Sequence, residues 1–333
     1  MIVDVHAHYV SPLVAAAVRG NEGRYGVHVV ETADGEPRFV IGNREAARPQ
    51  ALLPALQDLD TRQQAMASQS VDHQVVSLAL SFTGYDLPAA QGAAWARLLN
   101  DTTAEDLQAA PGRFTATATV PLQDGRAAAA EVQRVCGTLG YHGVVISTHV
   151  AGRNLDDRDL DPFWAAAQEV SAPIIIHPAY VVQSPRLANY YFQNLLGNPY
   201  DTAIAAASLV FGGVCDRYPD LKLMLVHGGG DFPYQIGRLT HGWSVRPETK
   251  GLQTPPLDYL KWFYYDTVLY YGPALRYLAE AVGPDRLMLG SDYPYDMCPA
   301  RPRQIVADAG FAAGERDQIE GGTSSAVFGL SAP

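Results

Sequence analysis

Short runs rich in Val, Ile and Leu recur along the chain and are separated by stretches whose apolar residues follow helical spacing. Runs of this kind predict strands. We predict eight of them, at 1–5, 74–80, 114–120, 143–148, 172–176, 221–226, 262–268 and 286–291. Helices are predicted between them, for example at 89–109, 125–137 and 162–170. This alternation favours an α/β protein whose parallel strands close into a distorted (β/α)8 barrel of the TIM type.

One segment departs from the alternation. Residues 27–30 and 38–41 form two short apolar runs around Asp34-Gly35, a dipeptide favoured in hairpin turns. We predict a single domain over 1–333, in which 22–42 is a β-hairpin insertion after the first strand. Insertions at that end of a barrel strand project from the catalytic face, so we expect a flap over the strand ends.

Composition narrows the class of protein. The 333 residues include 47% hydrophobic residues and carry a formal net charge of -11, which argues against nucleic-acid or anionic-membrane partners. The cysteines Cys136, Cys215 and Cys298 are far apart, so we expect neither a disulfide framework nor a thiolate zinc cluster, and a reducing cytoplasm is the expected location. With no leader ahead of the first strand and no long apolar run, we expect an unprocessed, soluble protein.

Five polar side chains stand at the downstream ends of predicted strands: His6, His8, His177, His227 and Asp292. The C-terminal ends of barrel strands converge on one face, so distant residues can share one ion there. His6 and His8 are two residues apart on a strand and therefore point the same way. Imidazole with a carboxylate suits Zn²⁺, and Mn²⁺ or Fe²⁺ are alternatives. The sequence therefore predicts a metal site at the mouth of the barrel.

Other histidines have simpler explanations. A lone histidine is more often a hydrogen-bonded structural residue than a ligand, and this applies to His28, His73, His142 and His241. His149 also follows a predicted strand, and both a substrate contact and a structural role remain open for it. Asp4 shares a strand face with His6 but lies deeper, so we expect it to support the site by hydrogen bonding rather than to bind the metal.

Four motifs together resemble one known superfamily. They are Asp4-Val5-His6-Ala7-His8, His177-Pro178, His227-Gly228-Gly229-Gly230 and Gly290-Ser291-Asp292-Tyr293-Pro294. The chain resembles the amidohydrolase superfamily, and within it the branch that contains amino-carboxymuconate-semialdehyde decarboxylase and related aromatic-acid decarboxylases. The resemblance runs from the first residues to Phe328-Gly329-Leu330 and is strongest over 227–247.

The resemblance implies roles for individual residues. It implies that the metal ligands are His6, His8, His177 and Asp292. It further implies that His227 acts on the metal-bound water and that Arg44 and Arg238 hold a substrate carboxylate. From the chemistry of the residues, we expect Asp292 or His227 to relay the proton to the substrate carbon. In such enzymes the arginine that matches Arg238 reaches into the partner subunit's site, which implies a homodimer. Spacing alone would favour ordinary surface ion pairs for both arginines.

Some positions differ from the family pattern. Ala179-Tyr180 stands where the family decarboxylase carries Trp-Asp, Asn194 replaces a further Trp, and Tyr271-Gly272 replaces His-Asp. These differences leave the metal constellation intact. They indicate that the pocket is shaped for a different compound.

Three functions are compatible with these residues. The first is a metal-dependent, non-oxidative decarboxylase of an unsaturated or aromatic carboxylic acid, acting through a metal-bound water or hydroxide. The second is a hydrolase of an amide, an ester, a lactone or a carbon–carbon bond beside a ketone, since the same fold and metal set serve both. The third is a metal-stabilised binding protein. Paired arginines favour a small-molecule carboxylate substrate, and hence the first function.

Overall fold

The computed structural model describes residues 1–31, 37–42 and 49–331. The strands in these ranges are β1 Val3–Tyr9, β2 Val27–Glu31, β3 Pro37–Ile41, β4 Gln50–Ala51, β5 His73–Leu78, β6 Phe114–Ala116, β7 Val144–Ser147, β8 His149–Val150, β9 Arg153–Asn154, β10 Ile174–His177, β11 Leu223–Leu225, β12 Tyr264–Asp266 and β13 Leu287–Met288. The α-helices are α1 Leu13–Val18, α2 Glu22–Tyr25, α3 Pro54–Gln57, α4 Leu59–Gln69, α5 Ala89–Asp106, α6 Gly125–Thr138, α7 Asp161–Glu169, α8 Asn198–Phe211, α9 Val214–Arg217, α10 Phe232–Val245, α11 Gly272–Val282, α12 Gln304–Asp308, α13 Ala313–Asp317 and α14 Thr323–Phe328.

Eight parallel strands close into a ring. They form two sheets, in the orders β1-β5-β6 and β13-β12-β11-β10-β7. Single parallel bridges join the sheets at both seams, between Ala118 and Val144 and between Ala7 and Tyr293. The ring is irregular because the register of β1 against β5 shifts between Asp4 and Ala7. The prediction of a distorted (β/α)8 barrel is confirmed.

The apolar residues of β10 alternate between two packing clusters. Ile174 and Ile176 pack with helix residues, among them Trp164 and Leu209. Ile175 packs instead with residues of neighbouring barrel strands, which include Val145, Met224 and Met288. Every side chain of β10 is buried, as expected for a parallel strand covered on both faces. His177, two residues beyond Ile175, has the same orientation and points into the mouth of the barrel.

The predicted hairpin is part of a larger antiparallel sheet. β2 and β3 are antiparallel, with Val27 opposite Ile41 at one end and Glu31 opposite Pro37 at the other. β4 adds a third strand that the sequence did not predict. Within the segment 22–42, the short helix α2 precedes the strands, and the Asp34-Gly35 turn lies outside the described residues. The ring of Phe39 is buried 5.5 Å from that of Phe82, just beyond the C-terminal end of β5. The assignment of 1–333 to one domain with this insertion stays a prediction.

No helix in the described part of the chain is long and apolar enough to cross a membrane.

Candidate metal centre and active-site cleft

Four histidine rings meet at the mouth of the barrel. The ring centroids of His6, His8, His177 and His227 lie between 4.8 and 5.3 Å apart in five of their pairings. His6 and His8 are buried inside β1, which is longer than the predicted strand 1–5. The strand therefore continues past its predicted end at residue 5, and the shared orientation of the two histidines is as expected.

The carboxylate of Asp292 lies among these rings. Its Oδ1 atom is 3.3 Å from Nε2 of His6 and 3.1 Å from Nε2 of His8, and its Oδ2 atom is 3.8 Å from Nε2 of His227. Burial alone would raise the pKa of Asp292, but the nearby His6 and hydrogen bonds from the histidines outweigh burial and hold that pKa well below its usual range. Asp292 is therefore an anion at neutral pH. The structure brings together all five residues that the sequence placed at the site.

Several imidazole nitrogens in the cluster lack ordinary partners. His177 donates from Nδ1 to the carbonyl oxygen of Pro178 at 2.8 Å, which leaves Nε2 as the lone-pair atom. Within the described residues, Nε2 of His6, Nε2 of His177 and Nδ1 of His227 are buried without a hydrogen-bond partner. Unsatisfied buried polar atoms cost free energy and are uncommon without a reason.

A divalent metal ion would account for these unpartnered nitrogens. One possible ligand atom each from His6, His177, His227 and Asp292 lies within 4.8 Å of the others. Imidazole nitrogen and carboxylate oxygen are the donors that zinc and similar ions take in proteins. His8 is held differently, with Nε2 near Asp292 and Nδ1 3.4 Å from the carbonyl oxygen of Leu78. The donor set therefore fits a metal shared by His6, His177 and Asp292, with His8 and His227 as the adjacent candidates for a further ligand.

Asp266 is a site residue that the sequence analysis missed. Its Oδ2 atom lies 2.6 Å from Nδ1 of His6, and its Oδ1 atom accepts from the backbone N–H groups of Gly228 and Val268 at 2.8 and 3.1 Å. Burial would lower the pKa of His6, but Asp292 and Asp266 outweigh it and raise that pKa to about 10. Asp266 ends β12, but the predicted strand continued to residue 268, so Asp266 was not recognised as a strand-end residue.

The loop after β11 depends on its glycines. Gly228, Gly229 and Gly230 all have positive φ angles, between 58° and 80°. A Cβ atom at position 230 would lie 2.1 Å from the carbonyl oxygen of Pro199. Only glycine therefore allows these two backbone segments to lie so close together. His227 itself has a φ of 54°, and such conformations in non-glycine residues tend to occur at functional sites. The glycines of this loop therefore serve close packing.

A cleft with two lobes opens beside the histidines. One lobe, of about 210 Å³, contains His8 and His177 with three tyrosines, Tyr180, Tyr191 and Tyr295. The other, of about 270 Å³, contains His227 and Tyr270. The two lobes share a wall that consists of Asn194, Asn198 and Asp292.

Three of the five positions that depart from the family pattern line this cleft. Ala179, Tyr180 and Asn194 are all in the wall of the first lobe. Tyr271, by contrast, is exposed ahead of α11 and is not among the described residues that line either lobe. The substitutions next to His177 and at Asn194 therefore change the space available to a ligand.

His149 has a structural role in the cleft wall. Its Nδ1 atom accepts from the backbone N–H of Gly152 at 3.1 Å, so its Nε2–H donates to the carbonyl oxygen of Tyr180 at 3.1 Å. The hydroxyl of Tyr180 in turn donates to the carbonyl oxygen of Ser81 at 2.7 Å. His149 thus holds the backbone of Tyr180 in the cleft wall. His149 itself is not among the described residues that line the cleft.

Of the two predicted substrate arginines, only Arg238 is among the described residues. Arg44 lies outside the described residues. Arg238 is exposed on α10 and lines neither lobe among the described residues. No arginine or lysine occurs among the described residues that line the two lobes. Their roles as carboxylate-binding residues stay predictions.

Known proteins with similar sequences and structures include several decarboxylases. The chain is 33% identical over 276 residues to 2-amino-3-carboxymuconate-6-semialdehyde decarboxylase of Dictyostelium discoideum, covering 82% of this chain and 77% of that protein. It is 30% identical to 6-methylsalicylic acid decarboxylase of Penicillium expansum, covering 88% of this chain and 84% of that protein. The crystal structure of 5-carboxyvanillate decarboxylase from Sphingomonas paucimobilis superposes with a TM-score of 0.82 at 26% identity, covering 99% of both chains. The amidohydrolase family profile matches residues 3–330, and with the barrel and its histidine cluster this shows that the chain belongs to the amidohydrolase family.

Proposed function

We propose that this protein is a metal-dependent, non-oxidative decarboxylase that acts on an unsaturated or aromatic carboxylic acid. The observation that carries the proposal is the cluster of imidazole nitrogens around Asp292 at the mouth of the barrel. The relatives that share this fold over most of their length are named decarboxylases of such acids.

The metal would be held by His6, His8, His177 and Asp292, with His227 beside it. Zn²⁺ and Mn²⁺ both accept this combination of imidazole and carboxylate. When bound, a divalent ion supplies a Lewis acid that polarises a substrate oxygen. His6 is oriented for this role because its Nδ1–H is engaged by Asp266, and His177 because its Nδ1–H is engaged by the carbonyl of Pro178.

The remaining chemistry requires a proton at the carbon that loses carbon dioxide. His227 faces the second lobe of the cleft, and its Nε2 atom is 3.8 Å from Oδ2 of Asp292. A proton held between these groups is within reach of a bound ring or chain, which suits general-acid catalysis. The tyrosines of the first lobe present apolar ring faces and exclude water from a planar substrate.

Hydrolysis remains the alternative, since the same residues could direct water at a carbonyl group. The relatives that support the proposal are lyases rather than hydrolases by name.

The experiment is a screen of phenolic, aromatic and unsaturated carboxylic acids with metal-free protein, and with the same protein after addition of Zn²⁺ or Mn²⁺. Metal-dependent carbon dioxide release supports the proposal. Metal-dependent release of an acid from esters, amides or lactones, with no release of carbon dioxide, would show that the protein is a hydrolase and would overturn the proposal.

We also propose that the protein is a homodimer in which Arg238 serves the partner subunit's cleft. Arg238 is exposed on α10, on the same helix as Tyr234, whose side chain is 78% exposed. Arg238 forms no ion pair with a carboxylate of the described residues, so its guanidinium is available to a second chain. The cytoplasmic location stays a prediction that rests on the widely spaced cysteines.

A further inference from the structure

Arg62, on α4, is completely buried, with 0% of its surface exposed. A charged group buried this deeply costs free energy unless hydrogen bonds and opposite charge compensate it. Burial lowers the pKa of Arg62 to about 10, against the opposing effects of Tyr293 and Asp4. The chain therefore keeps an arginine at a costly position, and its contacts explain what it does there.

The guanidinium of Arg62 contacts two of the chain segments that carry residues of the proposed metal site, β1 and the segment after β13. One of its terminal nitrogens donates to the carbonyl oxygen of His8. The guanidinium carbon lies 5.4 Å from the ring centroid of Tyr9 and 4.8 Å from that of Tyr293, distances typical of cation–π contacts. Tyr9 follows His8, and Tyr293 follows Asp292. Arg62 thus lies directly behind two residues of the metal cluster.

A polar chain extends from Arg62 to the other side of the cluster. Its second terminal nitrogen donates to Oε1 of Gln74 at 3.2 Å, and Nε2 of Gln74 donates to Oδ2 of Asp4 at 2.9 Å. Because the carboxylate can only accept, Gln74 must present its amide nitrogen to Asp4 and its oxygen to Arg62. The arginine and the aspartate are therefore linked through one amide of defined orientation.

Asp4 completes the network beneath His6 and Asp292. Its Oδ1 atom accepts from the backbone N–H groups of His6 and Ser291 at 3.0 and 3.1 Å, and its Oδ2 atom accepts from the hydroxyl of Ser291 at 2.6 Å. Ser291 directly precedes Asp292. The supporting role predicted for Asp4 agrees with these contacts.

We propose that Arg62 is a positioning residue for the metal centre, acting through the carbonyl of His8 and through Gln74 and Asp4. This inference rests on the proposed metal site. The Arg62–Gln74–Asp4 network connects the backbones of His6, His8 and Ser291, so it sets the distance between the histidines of β1 and the carboxylate of Asp292. Metal sites require such supporting contacts to hold their ligands in place.

The test measures metal affinity directly, by calorimetric titration of metal-free protein with Mn²⁺, alongside kcat and KM for any acid that the wild type decarboxylates. We expect Arg62→Met to weaken Mn²⁺ binding by about 10- to 100-fold, the usual effect of losing a supporting contact. KM for the acid should change much less than kcat. Arg62→Lys keeps the charge but not the planar fork, so it should recover only part of the affinity. Arg97→Met, which alters an arginine 59% exposed on α5, is the matched control and should bind Mn²⁺ normally.

Wild-type Mn²⁺ affinity in folded Arg62→Met would overturn the inference. This holds also if the variant has a lower melting temperature, because Arg62 would then contribute to stability and not to metal binding. If Arg62→Met does not fold, Gln74→Met tests the same network without removing the arginine, and unchanged affinity in that variant would overturn it equally. A wild type that binds Mn²⁺ but decarboxylates no acid would contradict the proposed function and leave the affinity comparison valid.

Discussion

Nδ1 of His6 lies 2.6 Å from Oδ2 of Asp266, and both groups are buried. Since Asp266 also accepts from two backbone N–H groups, it is held as a carboxylate, and its favoured hydrogen bond places a proton on Nδ1 of His6. Nε2 of His6 then faces the other histidines. A metal ion and a second proton compete for that nitrogen. The hydrogen bond between His6 and Asp266 therefore affects how readily His6 binds a metal.

We expect Asp266→Asn to weaken metal binding by about 10- to 100-fold, because the amide loses the charge that orients His6 and raises its basicity. Metal content after dialysis against a graded series of chelator concentrations measures the effect. Asp258→Asn, at an exposed position, is the control. Equal metal retention in the two variants would mean that Asp266 does not support the site.

His177→Ala should lose both metal and activity, because one of the proposed ligands is removed. The unpartnered Nε2 of His177 is the atom concerned. Elemental mass spectrometry of the purified variant gives the metal content directly. Full occupancy would remove His177 from the ligand set.

His227→Ala should retain the metal while its rate falls by about 100-fold or more, the usual scale for a lost acid–base group. The geometry makes this a sharp test, since one nitrogen of His227 lies within 4.8 Å of possible ligand atoms of His6, His177 and Asp292. Metal analysis and single-turnover rates, compared with His8→Ala, would separate the two roles. Loss of metal in His227→Ala with retention in His8→Ala would exchange their assignments.

Tyr180→Ala should raise KM by about 10-fold, equivalent to roughly 1.4 kcal/mol, with a smaller effect on kcat, because it removes a cleft wall but no metal ligand. His149→Ala should act in the same direction more weakly, since it releases the carbonyl of Tyr180. Tyr190→Ala, at a tyrosine 80% exposed outside the described lining of the lobes, serves as the control. Unchanged KM in Tyr180→Ala would exclude the first lobe as the substrate subsite.

Arg238→Ala should raise KM for the acid and lower turnover, because a bidentate charged hydrogen bond contributes roughly 1.5–3 kcal/mol. If Arg44 and Arg238 of one cleft come from different subunits, mixing Arg44→Ala with Arg238→Ala gives heterodimers with one intact cleft and one lacking both arginines. Activity should then partly return. Absence of recovery after verified subunit exchange would contradict a shared cleft.

The order of strands and most of the site followed from sequence pattern. Runs such as Ile174–His177 consist of β-branched residues followed by a polar residue at the strand end. This pattern can be recognised from a short stretch of sequence. Asp266 was missed although it ends β12 in the same way. Its partner, His6, is 260 residues away, and only the closed ring brings the two together. The third strand, β4, was missed because Gln50–Ala51 has no apolar pattern of its own.

The sequence by itself determined the barrel, the face on which the candidate site lies and the residues of the candidate metal cluster, because periodicity and strand-end position are properties of short segments. Only the tertiary structure decided which nitrogen of each histidine is free, which residues support the cluster, and that Tyr180 and Asn194 line the cleft. Arg62 shows the difference most clearly. In the sequence it is one charged residue in a polar helix, yet packing of α4 against the barrel buries it behind His8 and Asp292. Such contacts join residues far apart in the chain, so their distances are set by how the strands close rather than by any local pattern.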